Sequence, residues 1–128
     1  MTTSPGPERS AATETRRTAD THRVIEGRKW RVSDPALDEP LRQHLVDELM
    51  HARRAVKTAK GDGDETELRS ARDRVQDAKV ALGERGPKWW EPVSEADTDL
   101  RIEAFIRTIG DRLGTLDANA ARVHLRLD

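Results

Sequence analysis

Apolar positions recur with a helical period over most of this chain. From 39 to 60, Leu41, Leu45, Leu49, Ala52, Val56 and Ala59 follow at intervals of three or four, which places them on one stripe of a helix. From 64 to 84, Leu68, Ala71, Val75, Ala78 and Leu82 repeat the pattern. Both stripes are narrow and Ala-rich, close to the seam of a coiled coil. Gly61-Asp62-Gly63-Asp64 separates them, with Asp64 as N-cap of the second helix and Glu67 three residues on. A connection this short folds the two helices back as an antiparallel hairpin. A third helix is predicted from 94 to 113, capped by Ser94, with Ile102, Phe105, Ile106, Ile109 and Leu113 as its apolar face and Gly114 as its stop.

Two segments alternate with period two instead. Val24-Ile25-Glu26-Gly27-Arg28-Lys29-Trp30-Arg31-Val32 reads as a β-hairpin around a Gly-containing turn, over 22–33, with Trp30 and Val32 on a half-buried face. Asp34-Pro35 then breaks it, Asp34 capping a short helical turn, and Asp38 with Pro40 repeats the device before the first helix. At the other end, 121–127 alternates strictly and reads as a strand that joins the N-terminal hairpin. The expected fold is mainly α: a helical hairpin and a third helix, with a small antiparallel sheet built from the N-terminal hairpin and the C-terminal strand. A single α-rich domain over 22–128 follows. Residues 1–21 hold no Leu, Ile, Val or aromatic side chain, so they read as a disordered tail.

Composition narrows the function. Charged residues make up 37% of the chain and aromatics 3%, yet the formal net charge is −1. Cysteine is absent, which excludes a disulfide framework and thiolate metal sites. No apolar run approaches a membrane span, and the tail has neither a signal-peptide core nor the acid-poor character of a transit peptide, so the expected location is the cytoplasm, away from membranes.

Catalytic constellations are missing as well. No Tyr, nucleophile elbow or phosphate loop is present, and His22 and His124 read as surface residues of flanking strands. Glu48 and His51 have the Glu-x-x-His spacing of a helical metal site, with His44 one turn earlier, but the second motif such a site needs is missing. Neither an enzyme, nor a cofactor, nor a metal site is expected. Solvated helix faces account for these residues.

Two binding surfaces remain. The connector over 86–93, Gly86-Pro87-Lys88-Trp89-Trp90-Glu91-Pro92, holds two of the four aromatic residues. In an extended segment neighbouring side chains diverge, so one of Trp89 and Trp90 would wedge into the core while the other, beside Lys88, projects outward to stack on a base or fill a protein partner's pocket. The interval 51–60 carries Arg53, Arg54, Lys57 and Lys60 and no acid, a basic stripe continued by Arg69, Arg72, Arg74 and Lys79 on the second helix. Such a stripe can take nucleic-acid phosphates, or simply oppose a helix dipole. The favoured expectation is a non-catalytic interaction module acting through the connector or the hairpin face. The alternative is a nucleic-acid or ribonucleoprotein accessory protein using the basic stripe. Narrow Ala seams can pair within or between chains, so both monomer and homodimer fit.

The stretches Val-Ile-Glu-Gly-Arg-Lys-Trp-Arg at 24–31, Asp-Pro-Ala at 34–36, Leu-Val-Asp-Glu-Leu-Met at 45–50, Ala-Arg-Arg-Ala-Val-Lys at 52–57 and the long run from 72 to 92 resemble a family of small actinobacterial proteins often labelled "biopolymer transporter Tol". The resemblance spans about 24–92 and implies no mechanism. An excess of Arg over Lys, 18 to 5, suits such a source.

Overall fold

The computed structural model describes residues 21–91, 94–111 and 117–125. Contacts divide the chain into two compact units, the first ending at Ser33 and the second beginning at Asp34. In the first, β1 (His22–Ile25) and β2 (Arg28–Arg31) pair antiparallel, with His22 opposite Arg31, Arg23 opposite Trp30, Val24 opposite Lys29 and Ile25 opposite Arg28. The turn residues Glu26 and Gly27 both have positive φ, at 51° and 79°, as a two-residue type I′ hairpin requires. Of the expected half-buried face, Val32 is half-buried, while Trp30 is 37% exposed; Val24 at 66% and Ile25 at 49% are open to solvent. Cross-strand partners share a face, so Trp30 and Ile25 sit among Arg23 and Arg28, whose charges favour water.

The second unit is helical: α1 (Glu39–Asp62), α2 (Glu65–Leu82), α3 (Glu95–Ile109) and α4 (Ala118–Leu125). The α1–α2 hairpin forms as expected. Leu41, Leu45, Leu49, Ala52 and Ala59 are buried on α1, and Ala71, Ala78 and Leu82 on α2. Gly63, at φ 69°, is the residue that stops α1, while Gly61 remains inside the helix. Asp64 caps α2 through the Glu67 N–H, which donates to Oδ1 at 3.0 Å. Ser94 caps α3 in the same way, accepting from the Asp97 N–H at 3.1 Å. Ile102, Phe105 and Ile109 fill the space beneath the hairpin, with Phe105 fully enclosed. α3 ends at Ile109 with Gly110 as its cap, whose N–H donates to the Ile106 carbonyl, so it stops short of the expected Leu113; Leu113 itself and the expected stop at Gly114 lie outside the described residues, as do 1–20 and Pro92-Val93 of the connector.

One element differs from expectation. Ala118–Leu125 is a helix where a strand was expected, so among the described residues the sheet has two strands and His124 lies on α4. Asp117 opens it: the Ala120 N–H donates to Oδ1 at 2.8 Å, and the Ala121 N–H to the Asp117 carbonyl at 3.0 Å. Ala121 and Leu125 are fully buried while Val123 between them is 69% exposed. Alternation over seven residues also contains the i, i+4 pair of a helix, and Ala-rich composition decides between them. No helix among the described residues is long and apolar enough to cross a membrane.

Candidate functional site

The Trp connector rests on a buried polar knot. Arg101 of α3 and Asp34, just before α1, meet at 2.8 Å between Nη1 and Oδ2, with side chains 3% and 8% exposed. Nε and Nη2 of Arg101 donate to the Ala81 carbonyl at 3.3 and 3.2 Å. The Asp34 N–H donates to the Leu82 carbonyl at 2.8 Å, and its Oδ1 accepts from the Ala36 N–H at 2.8 Å. The carbonyls bonded by Arg101 and Asp34 belong to the last turn of α2, which has no helical donors left for them. Charge and hydrogen bonds are thus satisfied together, the condition under which a buried pair is tolerated.

Gly83 ends α2 at φ 84° with no side chain, and that vacancy is used. A Cβ there would lie 2.9 Å from Cδ1 of Trp89 and 3.2 Å from Cβ of Asp34. Trp89 therefore closes over the knot. Lys88 is exposed, but Trp89 and Trp90 are both half-buried, and their rings meet edge to face with centroids 5.2 Å apart. The divergence expected of an extended segment does not occur. The Glu91 N–H donates to the Lys88 carbonyl at 3.3 Å, so the chain turns here and brings the two indoles together. The space between Lys88 and Trp89 and the α3 residues Asp97, Thr98 and Arg101 is about 50 Å³, room for a water or two.

The basic stripe divides in two. A helix advances 100° per residue, so Arg53, Lys57 and Lys60 share one flank of the Ala52–Ala59 seam while Arg54 lies round the far side. Arg54 instead lines a cleft of about 310 Å³ at the hairpin tip with His51, Thr58, Asp62, Asp64 and Glu67, where acids outnumber it. On α2 the same construction puts Arg69, Arg72, Gln76 and Lys79 on one flank. Two antiparallel helices turn corresponding flanks to the same side, so these cations join Arg53, Lys57 and Lys60. Arg85 belongs to the same surface, its Nη1 donating to Gln76 Oε1 at 2.6 Å. Lys79 registers the crowding. Burial holds its ammonium below the ordinary lysine range, and the charges of Arg85 and Arg53 press the same way, partly offset by Glu84.

The opposite side of the hairpin carries Glu48, Asp62, Glu67 and Asp77. Arg107 of α3 binds Asp77 there in a two-pronged contact at 2.9 and 3.0 Å. So α3 packs toward the acidic side, and Arg53, Lys57, Lys60, Arg69 and Arg72 are all exposed. Among the described residues no group of three or more His, Asp or Glu side chains is placed to hold a metal ion, Glu48, His51 and His44 included. Comparison with protein-family models, curated proteins and solved structures finds no match.

Proposed function

We propose that the chain is a non-catalytic binding module whose helical hairpin presents one cationic face to the phosphates of a nucleic acid. The observation that carries this is the convergence of Arg53, Lys57 and Lys60 with Arg69 and Arg72 across two antiparallel helices. Arg53 to Lys60 alone covers about 10 Å along α1. Rigid helices hold these groups without the ordering cost of a loop, and guanidinium forks suit phosphate oxygens. The near-zero net charge is no obstacle, because binding responds to the local grouping of cations, although Glu65 and Asp73 share a cleft with Arg69 and Arg72. Such a module would act in the cytoplasm, away from membranes.

The test is anisotropy of a labelled single-stranded oligonucleotide, titrated with protein at several salt concentrations. Affinity should fall steeply with salt, and Lys57→Glu with Arg72→Glu should weaken binding and flatten the salt slope by roughly one per lost contact. Binding that ignores salt, or that survives both reversals unchanged, overturns the proposal. A second reading, a protein partner held by the connector, draws on exposed Lys88 beside the half-buried Trp89 and Trp90. Lys88→Glu would then abolish partner capture while leaving oligonucleotide affinity intact.

A further inference from the structure

The β1–β2 ribbon belongs to the first of the two compact units and carries its own chemistry. Between His22 and Arg31 there are four cations, Arg23, Arg28, Lys29 and Arg31, and a single acid, Glu26 at the turn. Pairing sorts them by face. Arg23, Ile25, Arg28 and Trp30 share one side, and His22, Val24, Lys29 and Arg31 the other. On the first side the Arg28 guanidinium lies over the Trp30 ring, 4.7 Å from its centroid. This is a cation–π pair on a surface where Trp30 and Ile25 are both exposed.

We infer that this ribbon takes a single-stranded nucleic acid, seating one unpaired base against the Arg28–Trp30 pair. The inference rests on the nucleic-acid reading above and adds to it a site that recognises bases as well as phosphates. A base offers a π-face to a guanidinium or an indole whatever its identity, and only an unstacked base can present it. Arg23, directly opposite Trp30, stands where a neighbouring phosphate would lie, and Arg28 contributes charge as well as a stacking plane. The exposed apolar area of Ile25 adds a contact that a bare phosphate chain would not use.

Abasic oligonucleotides test this, because they keep the phosphates and lack the bases. The full chain should bind a single-stranded oligonucleotide about tenfold more tightly than its abasic counterpart at the same salt. Trp30→Ala should erase that preference while leaving the salt slope intact, and Trp30→Phe should retain most of it. Trp30 is exposed, so circular dichroism of the variants should match that of the parent. Equal affinity for both oligonucleotides, or a preference that persists in Trp30→Ala, overturns the inference and leaves the hairpin proposal standing. Failure of the Lys57 and Arg72 reversals to weaken binding would overturn the hairpin proposal instead.

Discussion

Arg101 and Asp34 form an ion pair at 2.8 Å with almost no access to water, although 66 residues of chain lie between them. The pair ties three things to one point: the approach to α1, the end of α2 and the middle of α3. Removing either member leaves the other charged and buried. Arg101→Ala or Asp34→Asn should therefore cost about 3–5 kcal/mol, read as a lower denaturant midpoint. Replacing both together by apolar residues should cost much less than the two single changes summed.

Gly83 gives a second, independent probe of the same corner. Gly83→Ala forces a side chain into the left-handed region and against Trp89 Cδ1 at 2.9 Å. The backbone penalty alone is about 1–2 kcal/mol, and the contact adds to it. A fall in melting temperature with a shift in tryptophan emission is expected, since Trp89 must move.

Lys79 sets a pH dependence. Its folded pKa lies below the unfolded value of 10.5, mainly through burial and then through Arg85 and Arg53. Between the two values the unfolded chain binds more protons, so stability rises with pH in that window. Below the folded pKa the penalty of the buried charge is fully present. The chain has no Tyr or Cys to titrate in the same range. Lys79→Met should raise the melting temperature at neutral pH and flatten the alkaline rise, both measurable by calorimetry.

Glu26 occupies a turn position with φ 51°, which Asn or Gly would adopt more readily. Glu26→Asn should stabilise the ribbon by about 1 kcal/mol. Stronger cross-strand NOEs between Arg23 and Trp30 would record the change.

Local signals were the legible ones. The Leu41–Leu45–Leu49 stripe and the Asp64 and Ser94 caps depend on neighbours within a turn, and the structure has them where spacing put them. Arg101 is not legible from its charge, because charged helix residues mostly face solvent. Yet it stands four residues before Phe105 and eight before Ile109, on the same inward line, and that spacing could have revealed it. The C-terminal helix is hidden in the sequence because Ala121 and Leu125 satisfy both periods at once. The pairing of the two connector indoles is not legible either, because a single turn bond, from the Glu91 N–H to the Lys88 carbonyl, reverses what an extended chain would do. The run from 51 to 60 was visible as basic, but which of its members act together required knowing how α2 lies beside α1. That relation separates Arg54 from Arg53, Lys57 and Lys60.

The hairpin's two-sided charge has a consequence for how the molecule behaves in bulk. A chain of net charge −1 would ordinarily pass through a cation-exchange column at neutral pH. With Arg53, Lys57, Lys60, Arg69 and Arg72 exposed on one flank of the hairpin, this one can still turn a cationic patch to the resin. Its chromatographic retention should follow the layout of its charges, not their sum.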